Sequence, residues 1–297
     1  MQGEQPSLWL GAGQAGWAWA PLVLAASSLA LAVVLTRTRS ARIPPHKLLA
    51  LAAIVAVAGL WGARGLHVLA DGQLDAYLWR CLDPTRLGVE GLISERDCWA
   101  ALRLGRGGLS LYGGLLSGAA AGYLCSRALG LPALLLADAG GLAFPAAIAL
   151  GRMGCWLAGC CFGQPVELPG SLAPLVTLAT PGSLAAAAYG DGVHVWSTQL
   201  FEAFGCSALA GLLWALRAQL QRWPGQLFGL SVLGYGILRF CIELLRGDPR
   251  GSWFWETTSP SQALAVLTGL GGLWLFRRGR GKDAAPPRVL EAPCIPS

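Results

Sequence analysis

The chain has 297 residues, of which 54% are hydrophobic and only 13% charged, where a soluble globular domain carries about 25% charged residues. Its net charge of +6 comes mostly from arginines gathered at the ends of apolar stretches. That distribution argues against a basic stripe for nucleic acid and reads as membrane topology.

Crossing a bilayer core takes about 20 apolar residues. Stretches of this kind lie at 17–35, 48–70, 108–127, 131–152, 198–217, 225–246 and 259–276. They predict an all-α polytopic membrane protein with about seven transmembrane helices. The first stretch has no basic segment before it and is followed by Arg37, Arg39 and Arg42, so it is expected to stay as a span and not to be cleaved as a signal. Basic groups in Thr36–Lys47, at Arg127, in Arg217–Arg222 and in Arg277–Lys282 fall on alternate connections. The positive-inside rule then puts the N-terminus outside and the C-terminus in the cytoplasm.

The outside segments become 71–107, 162–197 and 247–258. The first mixes Arg80, Arg86, Arg96, Arg103 and Arg106 with acidic residues, which predicts a folded cap with amphipathic pieces on the surface. Residues 283–297 are proline-rich and expected to be a disordered cytoplasmic tail. No repeat divides the rest, so 1–282 is read as one transmembrane domain.

The charges inside apolar stretches point to a site. Arg152 lies in the glycine-rich run GRMGCWLAGCCFG, residues Gly151–Gly163. Tyr235, Arg239 and Glu243 follow i, i+4, i+8 spacing and share a helix face, with Arg246 three residues on. Such residues mark function by default, although a structural salt bridge or a snorkelling arginine is the plainer alternative. The arginines all fall toward the outer half of their spans, and their planar forks suit a phosphate or carboxylate. Together they read as a site for a phospholipid headgroup. Gln199 and Glu202 share a face at i, i+3, just after Ser197, which is placed to cap that helix. Glu202, a turn inside the bilayer, needs a partner. In Tyr112-Gly113-Gly114 and on to Gly118 the small residues favour tight helix packing, with Tyr112 as a polar pocket wall in the functional alternative. Arg64 and His67 lie near an outer end. His67, or His194 in a loop, is a candidate base or simply a hydrogen-bonded structural residue.

Nine cysteines are scattered along the chain. Cys81 and Cys98 either form a disulfide in an oxidising compartment or remain separate thiols. Cys160 and Cys161 cannot bond to each other without strain, and Cys155-x4-Cys160 fits no usual zinc or redox spacing, so no metal is expected. Cys294-Ile-Pro-Ser297 has the outline of a prenylation box, which its internal proline makes a coincidence.

Four of these pieces, in this order, resemble the bacterial phosphatidylglycerol:prolipoprotein diacylglyceryl transferase family: Tyr112-Gly-Gly-Leu, the GRMGCWLAGCCFG run, Thr198-Gln-Leu-Phe-Glu202, and Tyr235-Gly-x-x-Arg239-Phe-x-x-Glu243. The resemblance implies an inner-membrane enzyme that moves the diacylglyceryl group of phosphatidylglycerol onto the lipobox cysteine of a preprolipoprotein, with its site toward the periplasm. It implies phosphatidylglycerol, preprolipoprotein signal peptides and the lipid bilayer as partners, and no cofactor. Arg152 and Arg239 would hold the phosphate, with Glu243 supporting Arg239 and Tyr112 at the catalytic position. Gly154, Arg246, Gln199, Glu202, Tyr235, Gly113, Gly114 and His67 would line the substrate site. The chain departs from the familiar form, which has histidine at Tyr112, asparagine at Cys155 and glutamate at Cys160. A same-fold paralogue that binds an anionic lipid or lipidated peptide without this reaction is the alternative. A thiol oxidoreductase lacks its C-x-x-C pair here, and a transporter would place its charges nearer midplane.

Overall fold

Apolar length decides where helices form. A computed structural model describes residues 20–38, 43–70, 74–87, 96–104, 108–167, 175–181, 183–220, 223–247 and 258–278. In chain order the helices are α1 (Ala20–Thr38), α2 (Pro45–Ala70), the short α3 (Leu74–Leu82), α4 (Leu111–Ala128) and α5 (Ala133–Leu157). They continue with the short α6 (Leu184–Tyr189), then α7 (Thr198–Leu220), α8 (Gln226–Glu243) and α9 (Pro260–Arg278). The chain is mostly helical, and a long helix stands at each predicted apolar stretch. Within α2, α5, α7 and α8, the segments Pro45–Leu69, Ala133–Leu157, Thr198–Leu220 and Gln226–Glu243 are long and apolar enough to cross a membrane.

Two short strands modify the all-helical expectation. β1 (Val176–Leu178) pairs antiparallel with β2 (His194–Trp196), Thr177 opposite Val195. Phe162, Ala179, Ala185, Ala186 and Val195 bury a small apolar centre beneath them. This cap is fastened to the end of α8: Gly163 bridges to Arg246, and the Tyr189 hydroxyl donates to the Gly247 carbonyl at 2.8 Å.

Without a hydrophobic force between helices in lipid, close backbone approach supplies much of the packing. α2 and α4 run antiparallel and touch at Gly62 and Gly113, where a Cβ built on Gly113 would stand 2.2 Å from the Gly62 carbonyl oxygen. α8 and α9 meet in the same manner at Gly229 and Gly272. Between these pairs, Tyr112, Ile148, Cys206, Tyr235 and Ala265 bring α4, α5, α7, α8 and α9 into one buried cluster.

At one end of the bundle, buried Asp138 of α5 accepts from the backbone N–H of Gly225 at 2.7 Å and of Phe228 at 2.9 Å. A carboxylate thereby satisfies orphan donors at the α8 N-terminus and complements its dipole. At the other end, the described residues 74–87 and 96–104 hold α3, two short 3₁₀ turns and a Cys81–Cys98 disulfide. Arg64 donates to the carbonyls of Ala100 at 2.7 Å, Ala101 at 2.8 Å and Gly108 at 3.0 Å. Residues 283–297, with the expected tail and the Cys294 box, lie outside the described residues.

Asp138→Ala strands two backbone donors and is expected to cost about 1–2 kcal/mol. It should lower the thermal midpoint of the detergent-solubilised protein, and an unchanged midpoint would show the α5–α8 tie to be idle.

Candidate active site

Helix directions alternate, so the C-terminal ends of α5 and α8 meet the N-terminal ends of α4, α7 and α9. Glu202, near the start of α7, sits fully buried at this junction. Its Oε2 pairs with Arg152 Nε of α5 at 2.9 Å and with Arg239 Nη1 of α8 at 3.4 Å. Its Oε1 accepts from the Tyr235 hydroxyl at 2.8 Å. Arg239 continues the chain of charge, its Nη2 standing 2.5 Å from Glu243 Oε2 and 3.5 Å from Ser261 Oγ. Arg246 Nε lies 3.9 Å from the same Glu243 oxygen. Pairing of this kind is what permits so much buried charge, since each ion taken alone from water costs several kcal/mol.

The predicted face of Tyr235, Arg239 and Glu243 is therefore buried and joined to Arg152 and Arg246. The partner that Glu202 required turns out to be both arginines together. Arg152 does not snorkel: it is 8% exposed and committed to Glu202. Ser261, beside Arg239, was missed, and so were Ser259 and Gln262. Ser259 forms a capping box at the start of α9, its hydroxyl accepting from the Gln262 N–H and its own N–H donating to Gln262 Oε1, each at 3.1 Å. The same hydroxyl donates to Glu243 Oε1 at 2.9 Å. The Ser-x-x-Gln signature was visible in the sequence; its link to Glu243 was not.

Beyond α5 the chain turns sharply over the site. Cys161 has φ 62°, the only left-handed non-glycine among the described residues, a conformation that costs about 1–3 kcal/mol. It is held from α7: Thr198 Oγ1 donates to the Cys161 carbonyl and Gln199 Nε2 to the Cys160 carbonyl, both at 2.6 Å. Gln199 thus anchors this loop, although it shares the face of Glu202. The Ser197 hydroxyl, expected to cap α7, instead meets the Thr177 hydroxyl of β1. The turn draws Cys155, Cys160 and Cys161 together, their sulfurs within 4.8 Å of one another. Hydrogen bonding from Cys155 and Cys160 holds the Cys161 thiol well below the ordinary range, and the Arg246 and Arg152 guanidiniums add to this.

The other predicted residues spread around this centre. Tyr112 is buried with its ring centroid 6.3 Å from that of Tyr235. Its phenol oxygen lies beside Thr268 without a hydrogen bond of ordinary geometry. Gly113 and Gly114 face α2, where close packing accounts for them. Gly154 is buried in α5 and accepts from the Ala158 N–H at 3.0 Å. His67 packs edge-on against Tyr77 of α3, beside Gly108, and Arg64 stacks over the same Tyr77 ring. His194 lies in β2, opposite Leu178.

Apolar helices enclosing a paired cluster of arginines and glutamates define a membrane protein with a polar site inside its bundle. The chain belongs to the prolipoprotein diacylglyceryl transferase family, whose model matches residues 18–278. It is 32% identical over 174 residues to the phosphatidylglycerol–prolipoprotein diacylglyceryl transferase of Clostridium tetani, an alignment covering 58% of this chain and 65% of that protein. The protein of the same name from Paenarthrobacter aurescens is 31% identical over 64% of this chain and 56% of its own length. The chain thus spans under two thirds of the length of these relatives. With that of Corynebacterium efficiens the identity is 30%, over 91% of this chain and 83% of that protein.

Glu202→Gln leaves two buried guanidiniums without their shared counter-charge and is expected to destabilise the protein by roughly 3–5 kcal/mol. Chemical denaturation in detergent would measure this, and a change below about 1 kcal/mol would mean that the pairs do not hold the bundle.

Proposed function

We propose that this chain transfers the diacylglyceryl group of phosphatidylglycerol to the thiol of a lipobox cysteine in a preprolipoprotein. The observation that carries this reading is the convergence of Arg152 and Arg239, from two helices, on Glu202 at one end of the bundle. The names of the relatives point to the same chemistry. In the reaction the peptide sulfur attacks the glyceryl carbon, the bond from that carbon to the phosphate oxygen breaks, and glycerol phosphate leaves as a thioether forms. Negative charge develops on the departing phosphate, where guanidiniums fixed beforehand stabilise it most. Glu202 and Glu243 hold those guanidiniums in place, so that they need not reorganise as the charge develops.

The nucleophile belongs to the peptide, so the enzyme needs no serine or cysteine nucleophile of its own. Glu202, already engaged by two arginines and Tyr235, is a poor proton acceptor. Tyr112, with an unperturbed pKa of about 10, is a neutral wall near neutral pH. The thiol proton is then best lost to solvent, with the thiolate steadied by the arginines. Gly154, Gln199, Tyr235 and Arg246 shape the headgroup pocket around them, while Gly113, Gly114 and His67 act on it from the α2–α4 contact.

We read the chain as a seven-span protein of the bacterial inner membrane, with the N-terminus periplasmic, the C-terminus cytoplasmic and the site toward the periplasm. Supporting this, Arg127, Arg217, Arg277 and Arg278 lie in the last turns of α4, α7 and α9, at the end of the bundle opposite the site. The Cys81–Cys98 disulfide lies at the site's end, consistent with an oxidising compartment there.

Purified protein incubated with phosphatidylglycerol and a lipobox peptide should yield a thioether-linked diacylglyceryl adduct by mass. A folded sample that yields none overturns the reading in favour of a lipid-binding paralogue. Arg152→Ala and Arg239→Ala should each lower adduct formation roughly 100- to 1,000-fold while the protein stays in the membrane, and Arg239→Lys should not restore it because a lysine lacks the fork. Tyr112→His, which installs the family's more familiar side chain, should leave the adduct yield within about threefold.

A further inference from the structure

Adjacent cysteines in an extended chain point to opposite sides. Here they do not, because Cys161 takes the left-handed conformation, and the last turn of α5 supplies Cys155 from the other side. The two carbonyls that set this turn are each fixed by a side chain of α7. The result is three sulfurs within 4.8 Å, all on residues only partly buried. Three ligands on a tetrahedral zinc, at about 2.3 Å each, stand about 3.8 Å apart, so small side-chain rotations suffice to bring these onto one ion.

We propose that Cys155, Cys160 and Cys161 form a binding site for a soft divalent cation of the zinc and cadmium type, with the fourth position open. Thiolates select such ions over magnesium or calcium. Binding releases to solvent the protons the three sulfurs still carry and takes up one metal ion. The product, a dication with three thiolates, carries one net negative charge. Cys155 stands three residues after Arg152 on α5, so that guanidinium lies beside the cluster and complements it. The usual spacing templates miss the site because they presume a regular hairpin or helix between ligands, whereas this one depends on a left-handed residue and on anchors some 40 residues away in sequence.

Full-length protein in detergent, purified anaerobically with its Cys81–Cys98 disulfide intact, should take up one cadmium per chain with a thiolate-to-metal absorption band that zinc displaces. Cys155→Ser, Cys160→Ser and Cys161→Ser should each weaken binding by more than about 10-fold, and Cys125→Ser should not. In the unsubstituted protein, cadmium should shield these three cysteines from alkylation, read peptide by peptide, which needs no variant to fold. Absence of the band, its persistence with all three residues replaced, or free alkylation at saturating cadmium would each overturn the site. None of these readouts depends on acyl transfer, so the site and the proposed reaction stand or fall separately.

Discussion

One carboxylate, that of Glu202, ties three helices by charge. It meets Arg152 from α5 and Arg239 from α8 while itself belonging to α7, and Tyr235 donates to its remaining oxygen. In a low-dielectric bundle none of these charges is tolerable alone. The arrangement is accordingly cooperative: each arginine makes the glutamate affordable, and the glutamate aims both arginines. Glu243 extends the network to Arg246 and, through Ser259, to the start of α9. The polar site and the closure of the bundle at this end are therefore the same set of contacts.

The long helices were legible because length and apolarity are local properties, and each predicted stretch overlaps a helix to within a few residues. The shared face of Tyr235, Arg239 and Glu243 was legible for the same reason, since i, i+4 spacing fixes it once the helix is granted. The convergence of Arg152 on Glu202 was not, because it joins residues 50 apart on different helices. Asp138 illustrates the middle ground. A lone acid in an apolar stretch announces that it needs a partner, but the backbone donors it finds at the start of α8 carry no mark in the sequence.

The cap was read least well. Its strands are three residues each, too short for alternation to show, and its small core borrows Phe162 from the turn after α5. Cys161 hides a sharper point, for nothing in a Gly-Cys-Cys sequence says that the second cysteine, not the glycine alone, will be left-handed. That conformation is imposed by Thr198 and Gln199 across the contact with α7.

The Cys81–Cys98 bond bears on the order in which the molecule is put together. Arg64 lies inside α2, yet the carbonyls that satisfy it belong to Ala100, Ala101 and Gly108, beyond Cys98 in the chain. The guanidinium therefore acquires these acceptors only when the segment that follows α2 folds back onto it. A covalent bond between residues 17 apart in sequence removes part of the entropy that opposes that return. The disulfide thus favours, from a distance in sequence, the loop conformation that brings those carbonyls to a charge inside α2.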